Sequence, residues 1–489
     1  MTRTNRKLFS SVSIALALLA PARQASAQAE VIAWGDNSSG QCSPVPAFPP
    51  GESPVQVEAG AFFSLARFSA GSLRAWGDNS HGQCNIPVLP GGVGFVDVTA
   101  GGYHVLALLS DGTAIAWGWN NFFQCDVPPL GAGLSYTRFA AGAVHSVGAV
   151  SDGTLRAWGN NSHGQCSPLP TLPAGSSIVR LAAGALHTLA LLGDGTVVAW
   201  GGNSSHQCDV PALTGTLTYV AVAAGELHSA ALRSDGQIVA WGDNSTGACN
   251  VIAPPNGLVY TGVAAGGITV SGTHFGFTAG LLGNGTVVAW GDDTYGQCSV
   301  PTLQDGEVFV EIESLGAHIV ARTLQTRVPF CPGDGSGARA CPCSNSGATG
   351  HGCENSAATG GAILTSAGTS SLSADSFVMT ASGERSTSLS VFFQGDQEIS
   401  TTIYGDGLRC VGGHLKRLYT RNAIGGTVTA PTAGDLSVSA RSAAAGDAIP
   451  GLGTRVYQVG YRDPAPTYCP APPGNTFNMS SGLRVLWYP

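Results

Sequence analysis

The sequence predicts an all-β protein, with a seven-bladed β-propeller followed by a disulfide-rich linker and a small β-sandwich. The propeller is predicted first by the tripeptide Ala-Trp-Gly, which recurs seven times, with its Trp at positions 34, 76, 117, 158, 200, 241 and 290. The steps between these Trp residues are 42, 41, 41, 42, 41 and 49, and a period in the low forties is typical of a propeller blade. A second observation is the Asp-Gly or Asn-Gly pair that precedes five of these Trp residues, since such pairs form tight turns between strands.

Each repeat is predicted to form four short antiparallel strands, as the fourth repeat illustrates. The first two strands are predicted at residues 178–184 and 186–192, and the turn Gly193-Asp194-Gly195 leads into a third strand at residues 196–201. A short fourth strand is predicted at residues 207–210 and is stopped by proline. Four antiparallel strands in about 40 residues make one blade.

The two ends of the repeat region predict that the ring closes on itself. The chain enters the region with only the later half of a repeat, Val31-Ile32-Ala33-Trp34, and leaves it with only the earlier half, residues 308–322. Joining the halves would give one blade with strands from both ends. Such a blade would remove the open strand edges that a linear array exposes.

The repeats resemble the regulator-of-chromosome-condensation repeat. The resemblance is carried by the Ala-Ala-Gly-x-x-His-x-x-Ala-Leu half at residues 182–191 and by the Asp-Gly-x-x-x-Ala-Trp-Gly-x-Asn half, and it covers about 300 residues. It implies a seven-bladed propeller over residues 28–327 that binds other proteins through loops on one face. The short period looks most like compact secreted bacterial members, such as the propeller-type beta-lactamase inhibitory protein. The nuclear member is a nucleotide exchange factor, a role against which the export signal and the lack of basic tails argue.

Residues 1–27 are predicted to be a signal peptide. A positive segment with Arg3, Arg6 and Lys7 precedes the apolar residues 8–19, and Ala25-Ser26-Ala27 fits a cleavage site. The mature protein is therefore expected to be secreted or bound to the cell surface, in an extracellular or periplasmic location, with no membrane span. The net charge is −8 and no basic run follows the amino terminus, so no nucleic-acid partner is expected.

The composition changes near residue 330, where a Cys-rich linker is predicted at residues 328–358 and a β-sandwich accessory domain at 359–489. Six cysteines in this part are expected to form three disulfides, with undetermined pairing: Cys331, Cys341, Cys343, Cys353, Cys410 and Cys469. Alternating segments such as Leu389-Ser-Val-Phe-Phe and Leu436-Ser-Val-Ser-Ala predict strands without a helical period. The module resembles carboxy-terminal modules of exported planctomycete-type proteins, and attachment to the cell surface, sorting or glycan binding are open roles.

Comparing the seven repeats with one another separates scaffold from candidate site. The repeated Trp is expected to pack between blades, with sugar stacking as the alternative. A repeated His, replaced by Phe63 and Phe277 in two repeats, is expected to be half-buried and bonded to the backbone, since a metal site would not tolerate Phe. The seven repeat cysteines are expected to be buried free thiols, with metal or redox use as the alternative: Cys42, Cys84, Cys125, Cys166, Cys208, Cys249 and Cys298.

The loop after each Ala-Trp-Gly varies most, and the third repeat departs furthest from its sisters. Here Trp119-Asn120-Asn121-Phe122-Phe123 replaces Asp-Asn-Ser-x-Gly, which puts three large aromatics into a surface loop. Exposed aromatics are favoured as interface anchors, although these could instead fold back onto their own blade. His81, His163 and Tyr295 occupy the position of Phe122 in other repeats. The predicted partner-binding residues are therefore Trp119, Phe122, Phe123, His81, His163 and Tyr295.

The function predicted from these features is that of a secreted, non-catalytic protein-binding propeller with no cofactor or metal, whose partner is a protein of unknown identity. The alternative is a propeller that binds or degrades polysaccharide. An enzyme needs converging acid and base groups. The acidic residues mostly fill repeated turn or loop positions, and no catalytic motif stands apart from the repeat. An Asp/Glu/His cluster at the channel mouth would favour the alternative.

Overall fold

The computed structural model describes residues 29–173, 175–255, 257–270, 273–304, 306–330, 346–349, 351–353, 355, 357–404, 407–450, 453–463 and 477–487. The predicted signal peptide lies outside these residues, as does most of the predicted linker. Within the described chain, no helix has the length and apolar character needed to cross a bilayer.

The repeat region consists entirely of strands. In chain order they are β1 (Ala29–Gly35), β2 (Pro54–Ala59), β3 (Phe63–Phe68), β4 (Leu73–Gly77), β5 (Phe95–Ala100), β6 (His104–Leu109), β7 (Ala114–Gly118), β8 (Tyr136–Ala141), β9 (His145–Val150), β10 (Leu155–Gly159), β11 (Ile178–Ala183), β12 (His187–Leu192), β13 (Val197–Gly201), β14 (Tyr219–Ala224), β15 (His228–Arg233), β16 (Ile238–Gly242), β17 (Tyr260–Gly266), β18 (Thr269–Val270), β19 (Thr273–His274), β20 (Phe277–Leu282), β21 (Val287–Gly291), β22 (Glu307–Glu313) and β23 (His318–Gln325).

These strands form three-stranded antiparallel sheets, of which the described part of the repeat region contains seven. Six sheets are built from consecutive repeat strands, as in the order β11–β12–β13. In the seventh, β23 pairs with β22 on one side and with the amino-terminal β1 on the other, with Trp34 opposite Ile319. The predicted pairing between the two half-repeats is therefore confirmed.

The first strand of each sheet packs against the first strands of both neighbouring sheets, and these contacts run in a closed cycle from β2 through β5, β8, β11, β14, β17 and β22 back to β2. All seven first strands line one central cavity of about 370 Å³. Repeated three-stranded sheets around a common cavity fit the predicted β-propeller.

The prediction of a fourth strand in each repeat is wrong. Residues 207–208 form a turn and residues 209–210 belong to no strand. The loop's own side chains compete for the main-chain groups that a strand would pair, because Asn203 Oδ1 accepts a hydrogen bond from the Cys208 N–H at 2.8 Å.

The repeated Trp side chains pack between adjacent sheets, as predicted. All except the half-buried Trp117 are at least nine-tenths buried. Six of the seven indole N–H groups donate to a main-chain oxygen in the loop of the preceding repeat, at 2.9 to 3.1 Å. The loop of one repeat is thereby tied to the outer strand of the next.

The repeated His differs from its prediction in burial and in partner. All five are fully buried, and each ring Nε2 lies 2.9 to 3.0 Å from a hydroxyl oxygen of the next sheet rather than from the backbone. The pairs are His104 with Ser146, His145 with Thr188, His187 with Ser229, His228 with Thr278, and His318 with Ser64.

The two repeats with Phe in place of His show the same coupling in apolar form. Phe63 packs in one cluster with Val105, and Phe277 packs in one cluster with Ile319. Val105 and Ile319 occupy the hydroxyl position of the next sheet. A His therefore always meets a hydroxyl, and a Phe always meets an aliphatic side chain, so that no junction leaves either group with the wrong partner.

The carboxy-terminal region contains β24 (Arg327–Phe330), β25 (Ile363–Ala367), β26 (Val378–Ser382), β27 (Leu389–Gly395), β28 (Gln397–Tyr404), β29 (Gly407–Gly412), β30 (Lys416–Asn422), β31 (Thr427–Ala430), α1 (Val438–Ala444), β32 (Thr454–Arg462), β33 (Phe477–Met479) and β34 (Gly482–Leu486). A six-stranded sheet has the order β24–β34–β32–β27–β30, with β33 also on β32, and β25–β26–β31 form a second sheet. The predicted boundary after residue 327 falls inside β24. Phe377 joins the two sheets in one core, with ring centroids 5.7 Å from Tyr457 and 5.5 Å from Trp487.

The strand expected at Leu436-Ser-Val-Ser-Ala is wrong, because α1 forms there instead. Ser437 caps the helix by accepting a hydrogen bond from the Ala440 N–H at 3.4 Å. Val438 and Ser442 are the buried positions of this helix, and their spacing of four residues is helical. A five-residue alternation is too short to exclude that period.

Candidate functional site

The loops after each Ala-Trp-Gly share one internal framework. In the first, Asp36 Oδ2 accepts a hydrogen bond from Gln41 Nε2 at 2.8 Å, and Gln41 Oε1 accepts from the Ser39 N–H at 2.9 Å. The same glutamine is buried in six of the seven loops. In the second, fourth and seventh loops its Nε2 again donates to the aspartate or asparagine two residues after the Trp, at 2.8 to 3.2 Å.

The third repeat breaks this framework. Trp119 stands where five of the six sister loops carry a carboxylate or amide and the other carries Gly202, and Gln124 is fully buried beneath it. Gln124 Oε1 still accepts from the Phe122 N–H at 2.9 Å, but its Nε2 has no partner among the described residues. A buried donor without a partner costs roughly 1–3 kcal/mol.

Trp119 is the centre of a cluster of aromatic side chains that joins two adjacent repeats. We call it the aromatic cluster and define it as Phe62, His81, Tyr103, Trp119 and Phe122. The Trp119 ring lies 5.3 Å from Phe122, 5.5 Å from His81 and 6.0 Å from Tyr103, between centroids. His81 and Phe62 also contact Tyr103, at 5.3 and 5.8 Å. Trp119 is half-buried and Phe122 is 38% exposed.

Of the six predicted site residues, the structure therefore brings together Trp119, Phe122 and His81. Phe123 follows them with 68% exposure and a φ of 64°, a left-handed conformation that the sister loops give to glycine in most repeats. His163 is exposed, and its Nδ1 shares a hydrogen bond with the Ser162 hydroxyl at 2.8 Å. Tyr295 packs at 5.5 Å against Phe275, which lies in an insertion between β17 and β20 that lengthens the step from Trp241 to Trp290.

Sequence reasoning missed Phe62 and Tyr103. Both immediately precede the repeated His or Phe, at a position where the other repeats carry an aliphatic or small residue such as Val144 or Leu186. Their aromatic character was therefore a readable signal. It was missed because only the loop after the Trp was compared across repeats, whereas this cluster also uses the loop between the first two strands.

The end of the ring that carries the aromatic cluster is negatively charged. We call it the acidic loop face, and it comprises the first ten residues after each Ala-Trp-Gly and the loops between the first and second strands. In the described part of these loops there is no Lys or Arg, while the acidic residues are Asp36, Asp78, Asp126, Asp209, Glu226, Asp243, Asp292 and Asp293.

The insertion between β17 and β20 adds a short hairpin, β18–β19, to the acidic loop face. His274 Nδ1 lies 2.9 Å from Glu226 Oε2, and its Nε2 lies 3.4 Å from Asp243 Oδ2. Burial lowers the pKa of His274, but the contact with Glu226 and the charges of Glu226, Asp243 and Asp292 outweigh it, so that the pKa is raised. A protonated His274 would hold the hairpin against the ring.

The seven repeat cysteines are free thiols that belong to the loop framework. Each Sγ donates to the main-chain oxygen six residues earlier, at 3.1 to 3.4 Å, as Cys42 does to Asp36. Burial, in most loops together with a nearby carboxylate, raises their pKa values to about 11 or 12. Thiols with such pKa values are poor nucleophiles and metal ligands.

The late cysteines are only partly described. Cys331, Cys341, Cys343 and Cys469 lie outside the described residues. Cys353 and Cys410 are buried, with 1% and 3% exposure, and neither is among the free thiols. Three disulfides stay a prediction.

The central cavity carries a second group of polar side chains. Glu58 and Glu313 are half-buried in its wall, and Arg180 on β11 reaches across to place its Nη2 3.0 Å from Glu313 Oε1. Burial, with the charges of neighbouring carboxylates, raises the pKa of Glu58 well above its usual value. Burial likewise raises the pKa of Glu313 to about 7, although Arg180 opposes the shift.

Small residues line the other side of this cavity, among them Ala223 and Ala264. The cavity is therefore asymmetric, because its acids and arginines come from strands other than β14 and β17. Within the described residues, no group of three or more His, Cys, Asp or Glu side chains could hold a metal ion.

Comparison with known proteins agrees with this architecture. Five stretches match the regulator of chromosome condensation (RCC1) repeat, at residues 55–83, 95–124, 136–165, 178–207 and 219–248. Each stretch begins at or near the first strand of a sheet and ends at the buried loop glutamine or its equivalent. The matches and the repeated three-stranded sheets together support a β-propeller of RCC1 repeats.

Solved structures show the same fold. Prp20p of Saccharomyces cerevisiae, described with its binding to Gsp1p and histones, is similar with a TM-score of 0.51 and 18% identity over 61% of this chain and 92% of that one. A structure of Kap60 bound to yeast RCC1 (Prp20) gives a TM-score of 0.50 and 18% identity, over 61% and 89% of the two chains. No curated protein matches the sequence significantly.

Proposed function

We propose that this protein is a secreted, non-catalytic binding protein, a seven-bladed propeller that engages a protein partner through the acidic loop face, centred on the aromatic cluster. The carboxy-terminal strand module that follows is proposed to be the predicted sandwich, which attaches the propeller to a cell surface. RCC1-repeat proteins are typically binding or regulatory, and Prp20p binds proteins. The net charge of −8 supports a partner other than nucleic acid.

One observation carries the proposed site: Trp119 occupies the position of the residue that pairs with the loop glutamine in sister repeats. The fold gains no hydrogen bond from this exchange, because Gln124 Nε2 is left buried and unpaired. What it gains is a half-exposed indole among three aromatic neighbours. Proteins tolerate such local costs where a function requires the residue.

The test is the double variant Trp119→Ala with Phe122→Ala, measured against an identified partner. Buried interface aromatics each contribute about 2 kcal/mol or more, so the variant should bind at least about thirtyfold more weakly. A second variant, Trp119→Asp, restores the residue type of the sister loops and should lose binding while folding normally. Undiminished binding by both folded variants would discard this face.

A second candidate function is polysaccharide binding or cleavage in the central cavity. It is favoured by Glu58 and Glu313, because carboxyl groups with raised pKa values in a cleft can act as proton donors in glycoside hydrolysis. Release of reducing sugar from polysaccharide by the wild type, abolished in Glu58→Gln and Glu313→Gln but retained in Trp119→Ala, would establish this reading. If the Glu variants lose protein binding and the wild type releases no reducing sugar, the two carboxyl groups have a structural role and the cavity is not an active site.

A further inference from the structure

We propose that the partner presents a Lys- or Arg-rich segment to the acidic loop face and seats one Lys or Arg side chain against Trp119. The inference rests on the proposed function and names the chemistry of its partner. It begins from the charge of the acidic loop face, whose described loops contain acidic residues in several repeats and neither Lys nor Arg. A face of one sign attracts the opposite sign and speeds encounter with it.

The aromatic cluster has the geometry of a cation seat. Trp119 is half-buried, so part of its indole surface stays accessible, and His81, Tyr103 and Phe122 surround it at centroid distances of 5.3 to 6.0 Å. A cation within about 6 Å of an indole centroid is attracted to the ring face, and Arg does this more often than Lys.

A carboxylate accompanies the aromatic rings. Asp78 adjoins the cluster, because its main-chain N–H donates to the Phe62 main-chain oxygen at 2.9 Å. Burial, and secondarily the charge of Asp78, raises the pKa of Tyr103. Asp78 is fixed in place because its Oδ2 accepts hydrogen bonds from Ser80 Oγ and Gln83 Nε2, both at 2.8 Å. Rings and a fixed carboxylate together favour a guanidinium or ammonium over an apolar or anionic side chain.

The probe is a short fluorescein-labelled Gly/Arg peptide, measured by fluorescence polarisation with the full chain, beside the same peptide with citrulline in place of Arg. Citrulline keeps the shape and removes the charge. The Arg peptide should bind at least about tenfold more tightly than the citrulline peptide. Its affinity should fall as NaCl rises from about 50 to about 300 mM, because the loop charges are screened.

Three variants locate the site. Trp119→Ala should weaken Arg-peptide binding about tenfold. Asp78→Asn should weaken it severalfold and flatten its salt dependence, while keeping the loop, since Asn160 already serves the equivalent role in the loop after Trp158. Ile424→Ala, a change at an 86% exposed apolar residue of the carboxy-terminal region, should leave affinity unchanged.

Two results would overturn the inference: equal binding of the Arg and citrulline peptides, or no binding of the Arg peptide at about 1 mM. The proposed function fails separately. Suppose that a partner fails to bind the Trp119→Ala and Phe122→Ala double variant, but binds the wild type independently of salt and is not displaced by the Arg peptide. That result would support the protein-binding face and refute the basic segment proposed here.

Discussion

The junction between His187 and Ser229 predicts a coupled pair of substitutions. Ser229 Oγ donates to the Gln207 main-chain oxygen at 2.8 Å, so it must accept from the His187 Nε2–H, 2.9 Å away. The chain itself supplies the replacement for this pair, because Phe63 faces Val105 at an equivalent junction. The variants are therefore His187→Phe, Ser229→Val and the two combined.

The magnitudes follow from what each change leaves unpaired. Ser229→Val strands a fully buried imidazole N–H, which costs about 1–3 kcal/mol. His187→Phe removes one hydrogen bond but leaves Ser229 bonded to Gln207, so it should cost about 0.5–1.5 kcal/mol. The double variant leaves no unpaired group and should lie within about 1 kcal/mol of the wild type, which gives a favourable coupling energy of about 1–3 kcal/mol.

The assay is urea unfolding followed by tryptophan fluorescence, because a Trp lies at every inter-sheet junction. The reverse exchange, Phe63→His with Val105→Ser, is the matched control and should show the same pattern of costly single variants and a recovered double. Additive losses at the His187 junction would refute the pairing. A Ser229→Val variant as stable as the wild type would do so as well.

The same variants predict a pH effect. Burial, with the charges of His228 and His145, lowers the pKa of His187 in the folded state to about 3, below the usual 6.5. A lowered folded-state pKa gives stability that is complete above the unfolded pKa and is lost as pH falls towards the folded pKa. Between about pH 7 and pH 5 each such His should lose about 2 kcal/mol. The double Phe/Val variant should lose about that much less than the wild type over this range.

Four further outcomes are expected. Trp119→Asp should be more stable than Trp119→Ala by about 1–3 kcal/mol in urea unfolding, because the carboxylate gives Gln124 Nε2 its missing partner; equal stability would contradict this. Deletion of residues 29–35 should lower the melting temperature or cause aggregation, since it exposes an edge of β23, and an unchanged melting temperature would rule out that role. Glu58→Gln should raise stability at about pH 8 and lose this advantage by about pH 4, because a raised folded-state pKa makes the ionised carboxyl a cost at high pH. Alkylation under denaturing, non-reducing conditions should label the seven repeat cysteines and spare the six late ones; labelling of the late six, or none of the early seven, would exclude the predicted disulfides.

The repeat pattern predicted the strands and sheets that recur in every unit, but it did not predict features that depend on which side chains contact each other. The Trp period located every sheet, and the two half-repeats correctly predicted that residues near 31–34 pair with residues near 318–322. The fourth strand was wrong because Asn203 takes the main-chain N–H that the strand would need, and such local competition leaves no periodic signal. The repeat cysteines likewise follow their loops, since each sits six residues after the carbonyl that its thiol contacts.

The sequence contained a signal for the pairing of each repeated His with a hydroxyl, but the comparison that would show it was not the one made. Comparing His187 with the same position in other repeats shows only that Phe is tolerated there. His187 must instead be compared with Ser229, the residue that follows the repeated His of the next repeat. This comparison shows that the two positions change together. The coupling crosses a period because the contact crosses a junction between sheets, so it becomes visible only once the ring is known to place consecutive repeats side by side.

The loop after Trp200 shows that losing the carboxylate does not by itself require a tryptophan in its place. Gly202 also lacks the carboxylate of the sister loops, so the loss of that group is by itself tolerated. Gly202, however, adds no bulk over Gln207, and among the described residues the loop glutamine left both buried and unpaired at Nε2 is Gln124. A smaller residue would relieve the site, whereas Trp119 leaves Gln124 Nε2 unpaired and forms part of an aromatic surface that two adjacent repeats build together. A partner that contacts this surface would supply the stabilisation that the loop itself gives up.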